Sequence, residues 1–272
     1  MLRQQKQVER LQSFLEERVL RFNQPSFIDR DPVAIPHAFA AGPDREIAGL
    51  FAALFAWGNR TTILAKSREL MARMGHRPYQ FIVHHSDQDL KGLLGFKHRT
   101  FTDTDLLYLV EFLHRHFTGT HPRTPAGMDC STLETAFSTW MDPGDKDMGK
   151  ALAGFYRYFC TAADMPGRTR KHVATPERKS TCKRLNMYLR WMVRRDDRGV
   201  DFGDWQRISP AQLICPVDLH VARVARRFGL LQRQQTDWLA ALELTAALRR
   251  YDPADPVKFD FALFGMGIDE KY

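Results

Sequence analysis

No apolar run in this chain approaches the roughly 20 residues that a membrane-spanning helix requires. The opening stretch, MLRQQKQVERLQSFLEERVL, is charged throughout. It reads as neither a signal peptide nor a spanning helix, so a cytoplasmic protein that does not engage a membrane is expected. Cysteine is scarce. The four thiols, Cys130, Cys160, Cys182 and Cys215, are scattered with no CxxC pair. That spacing argues against a disulfide framework, a structural zinc and an iron–sulfur cluster, and no cofactor is expected. Alternation of apolar and polar residues at a period of two is missing, as is any internal repeat, which leaves an all-α chain.

What is present is basic. The net charge is +8, and eleven Lys or Arg against four acids between Asp164 and Arg198 account for +7 of it. A concentrated basic patch on an otherwise balanced protein is the electrostatic footprint of a polyanion partner, most often nucleic acid; a solvated helix face would look the same in composition. At 272 residues the chain is long enough to bury a sizeable core.

Apolar residues at a period near 3.6 predict helices over Leu2–Phe22, Asp44–Trp57, Thr61–Met74, Pro78–His84, Asp87–Leu94, Thr102–Phe117, Thr132–Met141, Asp145–Ala163, Lys183–Arg195, Asp218–Phe228, Asp237–Arg250 and Pro256–Met266. Four prolines between Asn23 and Pro43 forbid regular helix there. The segment EIAGLFAALFAW is apolar on almost every side, so its helix is expected at the centre of a lobe. Trp57, Trp191, Trp205 and Trp238 are expected mainly in the core, with Trp191 the weak exception because it sits in a basic helix. His84, His85, His114 and His116 do not share a helix face at adjacent or i, i+2 spacing and are expected at the surface rather than on a metal.

Two positions carry candidate chemistry. Lys183 opens the basic helix, and Asp218 stands where an N-cap belongs in PVDLHVARVARRFGLL, ahead of a stripe of Val221, Val224, Ala225 and Phe228. A lysine amine and a carboxylate brought together at helix ends can attack a sugar carbon. Without further signal, Asp218 is simply a cap and Lys183 a solvated charge.

The segment PVDLHVARVARRFGL resembles the aspartate-bearing helix of the helix-hairpin-helix DNA glycosylases, the endonuclease III and 8-oxoguanine glycosylase superfamily, with a pattern near V-D-x-H-V-x-R-V-x-x-R-x-G. KRLNMYLRWMVR is similar to the helix after that family's hairpin, with Lys183 at the lysine of G-x-G-x-K, and EIAGLFAALFAWGNRTTILAKSREL resembles its early buried helix and turn. Over nearly its whole length the chain is similar to a bacterial family of unassigned activity related to that superfamily. Three features depart from the pattern. The hairpin glycines are replaced by Arg178, Lys179, Ser180, Thr181 and Cys182; Asp218 follows Lys183 by 35 residues, a lengthened connection similar to the archaeal 8-oxoguanine branch; and the cluster cysteines of endonuclease III are missing.

The resemblance implies a two-lobed helix-hairpin-helix glycosylase-like fold forming one unit over 1–272, with one lobe at 44–195 and the other from 1–43 plus 196–272, and with Lys183 and Asp218 in the cleft. It further implies a monomer that flips a damaged base out of double-stranded DNA. Asp218 would stabilise positive charge on the sugar, and Lys183 would be the nucleophile of an AP-lyase step. The DNA contacts it implies are Asn59, Arg60, Lys179, Ser180, Arg184, Arg190, Arg194, His220 and Arg223. A DNA-binding protein without the chemistry is the main alternative, and an RNA-directed or purely structural helical protein a third.

Overall fold

In a computed structural model describing residues 2–270, the helices follow the apolar periodicity closely. In chain order they are α1 (Leu2–Phe22), α2 (Pro25–Ile28), α3 (Pro43–Phe55), α4 (Arg60–Arg73), α5 (Pro78–His84) and α6 (Asp87–Lys91). After them come β1 (Lys97–His98) and β2 (Phe101–Thr102), then α7 (Asp103–Phe117), α8 (Glu134–Ser138) and α9 (Gly149–Phe159). The last four are α10 (Lys183–Val193), α11 (Leu219–Arg227), α12 (Trp238–Arg249) and α13 (Phe259–Ile268). The antiparallel β1–β2 pair is the one departure from an all-helical chain among the described residues, and at two residues a strand it is too short for a period-two pattern to show. No helix among the described residues is long and apolar enough to cross a membrane.

Contacts divide the chain into two compact units. One comprises 1–29, 145–148 and 176–272, the other 30–144 and 149–175. The expected lobe boundaries at 43/44 and 195/196 are therefore displaced. The basic helix α10 belongs with the C-terminal helices, because its buried arginines pair with carboxylates at 196–260. Residues 30–43 belong with the central helices: the 3-10 turns Pro32–Ala34 and Pro36–Ala38 pack on α3.

In the central unit, α3 buries every residue from Glu46 to Phe55, as its all-round apolar sequence requires. Phe55 stacks on Phe96 and meets Phe101 edge-on at 5.1 Å, while Phe112 contacts Phe155, Tyr158 and Phe159. Two buried carboxylates tie this core together. Glu46 accepts 2.6 Å hydrogen bonds from the Thr132 hydroxyl and the Leu133 amide. Asp105 closes a capping box with Thr102 and accepts from the Thr169 hydroxyl at 2.8 Å. Although burial opposes ionisation of Asp105, these donors hold its carboxyl below the usual range.

In the other unit, the apolar helix α13 packs against both α1 and α11. Phe27 meets Phe261 edge-on at 5.4 Å, and Phe14 contacts Phe228 at 5.5 Å. Gly265 lets the Phe22 ring lie directly on the α13 backbone, since a Cβ there would fall 2.4 Å from the ring.

Gly154 on α9 is the corresponding close approach in the central unit, where a Cβ would sit 2.1 Å from Trp140 Cγ. Gly154→Ala is expected to lower the free energy of unfolding by about 1–3 kcal/mol despite alanine's better helix propensity, because the overpacking outweighs about 1 kcal/mol of propensity. Urea titration measures the balance, and a variant more stable than wild type would show the contact to be loose.

Candidate functional site

Lys183 and Asp218 meet. Lys183 Nζ lies 2.8 Å from Asp218 Oδ2, with 28% and 22% of the two side chains exposed, so both remain accessible to a ligand. Asp218 is the N-cap of α11: its Oδ1 accepts from the His220 and Val221 amides, both at 2.9 Å, leaving Oδ2 for the lysine. The capping role and the lysine contact thus use different oxygens of one carboxylate. Burial pushes the Asp218 carboxyl up, but Lys183 and the Val221 amide outweigh it, and the group sits below the usual carboxylate range. The ammonium of Lys183 also lies 5.7 Å from the centre of the Phe264 ring on α13.

The backbone turns sharply before Lys183. Lys179 has φ 58° and Cys182 has φ 52°. Both adopt the left-handed conformation that glycine supplies at no steric cost. Side-chain and long-range bonds hold it: the Cys182 amide donates to Ser180 Oγ at 3.1 Å, Asn186 Nδ2 donates to the Thr181 carbonyl at 2.9 Å, and the Trp238 amide donates to the Lys179 carbonyl at 3.2 Å.

The expected DNA contacts divide. Lys179 is exposed and Ser180 half-buried in this turn, and His220 and Arg223 are exposed on α11, with Arg223 donating to the Gly267 carbonyl at 3.1 Å. Arg184 is half-buried on α10, and burial pushes its guanidinium down to about 10, still charged at neutral pH. Asn59 and Arg60 lie in the central unit: exposed Asn59 caps α4 by accepting from the Thr62 amide at 3.2 Å, and half-buried Arg60 is the first residue of that helix.

Arg190 and Arg194 do not face a ligand. Each is 3% exposed. Arg190 pairs with Asp201 at 3.2 Å and with Asp260, while Arg194 pairs with Asp196 at 2.7 Å, Asp255 at 2.8 Å and Asp201 at 3.1 Å. These two expected DNA contacts form an interior seam instead, because the acids that neutralise them lie beyond the helix in sequence. Trp191, between them, is fully buried and stacks on no ligand; Trp205 is buried too, whereas Trp57 and Trp238 are half-buried. His116 is also not a surface residue: it is buried between the Tyr158 hydroxyl and the Thr132 carbonyl.

Three residues of the site escaped the sequence analysis. Leu219, the residue after Asp218, is 76% exposed; its position outside the Val221–Val224–Ala225 stripe was the available signal. Phe264 lies beside Lys183, and Asp260 is buried behind the pair. A lone acid in the apolar run FDFALFGMGI was the signal for Asp260. Burial pushes its carboxyl up to about 6, against the opposing pull of Arg190 and Lys183. Among the described residues, no group of three or more His, Cys, Asp or Glu is arranged to hold a metal ion.

Removing one partner from a buried ion network typically costs about 3–5 kcal/mol. Arg194→Met should therefore lower unfolding stability by that amount in urea titration, where a loss under 1 kcal/mol would place the guanidinium at the surface. Asp260 gives a pH signature. Its folded pKa of about 6 lies above the unfolded value of about 3.9, so the native state holds the extra proton between them. The contribution of Asp260 to stability should fall as pH rises from about 4 to 6. Asp260→Asn should flatten that segment of the stability profile.

No curated protein and no solved structure matches the chain. Residues 31–269 match the family described as "Protein of unknown function (DUF2400)". That match spans nearly the whole of both compact units apart from α1 and α2, and on it the chain belongs to the DUF2400 family.

Proposed function

We propose that this protein is a DNA base-excision glycosylase with AP-lyase activity, acting on a damaged base flipped out of double-stranded DNA. The observation that carries the reading is the 2.8 Å contact between Lys183 Nζ and Asp218 Oδ2, at the ends of two helices and open to solvent. An ionised carboxylate there stabilises the positive charge that develops on the sugar as the glycosidic C–N bond breaks and its electron pair leaves with the base. The Lys183 amine, after releasing a proton to a neighbouring base such as Asp218, donates its lone pair to the anomeric carbon. Ring opening with loss of a second amine proton yields a protonated Schiff base. Loss of a proton from the adjacent carbon then expels the 3′ phosphate with the electrons of its C–O bond, breaking the strand. Extruding the base costs a few kcal/mol, offset by backbone contacts; the Lys179–Cys182 hairpin, Arg184, His220 and Arg223 are suited to bind phosphate.

One observation favours the competing reading, a DNA-binding protein without the chemistry. Lys183 is ion-paired with Asp218 at 2.8 Å, and an ammonium engaged by a carboxylate suits a phosphate contact better than a nucleophile.

Borohydride trapping on duplexes carrying different damaged bases or an abasic site separates the two. Wild type should give a covalent product that Lys183→Gln abolishes. Asp218→Asn should reduce it at least about a hundredfold at nearly unchanged stability, because asparagine caps about as well as aspartate. If no duplex yields a trapped product or loses a base, the chemistry is refuted, and duplex affinity that falls steeply with salt would then identify a DNA-binding protein without catalysis.

A further inference from the structure

Beside the hairpin, on the side away from Lys183 in the chain, lies a cavity of about 290 Å³ within the same unit, walled by segment 176–179 and segment 233–239. Pro176, Trp238 and Leu239 form its apolar lining, and Leu239 is 56% exposed to solvent. Its carboxylate, Asp237, is saturated: Oδ1 takes the Ala240 amide at 3.1 Å and Arg233 Nε at 2.7 Å, and Oδ2 takes Arg233 Nη2. Those two charges cancel. The Lys179 ammonium is left as the uncompensated charge of the lining, with no ion pair or side-chain hydrogen bond among the described residues. Its backbone is held from both sides, the amide by the Pro176 carbonyl at 2.8 Å and the carbonyl by the Trp238 amide at 3.2 Å.

We propose that this cavity binds a nucleotide, with its base against Trp238 and Leu239 and its phosphate on Lys179. An indole and a leucine beside one fixed cation suit a planar ring carrying an anion, and base–aromatic stacking tolerates any base. The volume is at the lower end for a ligand pocket and fits one base with part of its sugar. Lys179 precedes Lys183 by four residues, so their Cα atoms lie within about 14 Å. A strand engaged at Lys183 and Asp218 therefore brings a neighbouring nucleotide within reach, and in this form the inference rests on the DNA reading above.

The test is the affinity of the full-length protein for fluorescein-labelled single-stranded dT12, followed by anisotropy. Trp238→Leu and Leu239→Ala should each weaken binding at least about fivefold. Lys179→Gly, which keeps the left-handed backbone, should lower the salt slope by about 1. Leu239 is exposed, so its variant reports on the cavity even if Trp238→Leu unfolds. Competition by excess dTMP would make a free nucleotide the ligand, and its failure would leave the strand as the ligand; both accord with the pocket. Wild-type and variant affinities within twofold of each other, or no binding of dT12 by wild type, would overturn it. The same preparations assayed by borohydride trapping keep the two proposals apart. Trapping with unaltered dT12 affinity in the variants sinks the pocket alone, and weakened affinity without trapping sinks the chemistry alone.

Discussion

Arg190 on α10 and Arg194 at its C-terminal cap, sharing Asp201 between them, are the interaction on which the C-terminal unit depends. Arg190 reaches Asp260 on α13, and Arg194 reaches Asp196 and Asp255, so one helix is tied to two separate stretches of chain, 196–201 and 255–260, by charges largely withdrawn from water. Buried ions are costly unless every lone pair and proton finds a partner. The arrangement therefore tolerates little displacement of α10 relative to α13, and Phe261 lies against both guanidiniums, 4.3 and 5.5 Å from its ring centre.

That restraint acts on the candidate site. Lys183 begins the helix that Arg190 and Arg194 anchor, and α13, which supplies Asp260 and Phe264, also packs along α11, where Asp218 is the cap. The 2.8 Å pair thus sits at the solvent end of a series of charges running inward through Asp260 to Arg190, with Cys215 Sγ 4.0 Å from Asp260 Oδ1. Asp218 and Asp260 illustrate how environment separates two identical side chains. Two backbone amides and a lysine hold Asp218 ionised, whereas full burial holds Asp260 near the middle of the pH range.

The turn before α10 shows the same economy in backbone form. Lys179 and Cys182 adopt left-handed conformations that cost a side-chain-bearing residue roughly 1–2 kcal/mol each. The surrounding bonds to Ser180, Asn186 and Trp238 over-determine the turn enough to hold it. Lys179 sits in this turn and puts a cation beside the cavity that Trp238 and Leu239 line.

By itself the sequence determined most of the helices, because a 3.6-residue apolar period and local capping act within a few residues of one another; α1, α5 and the Asp218 cap lie where the pattern puts them, and the ends of most other helices differ by one or two residues, with α9 shorter by four at each end. The one-turn α2 was not expected: Pro25 begins it, where a missing amide costs a helix nothing, so the prolines interrupt helix there without forbidding it. It also singled out Lys183 and Asp218, through residue types in register along single helices. Only the tertiary structure decided which charges are free. Arg184, Arg190 and Arg194 look alike in a basic helix, yet the acids that neutralise the last two lie up to 70 positions away, and no local pattern encodes a partner at that distance. The same holds for His116, buried under a carbonyl 16 residues on, and for the displaced unit boundaries, which follow those long-range pairs rather than any change in composition.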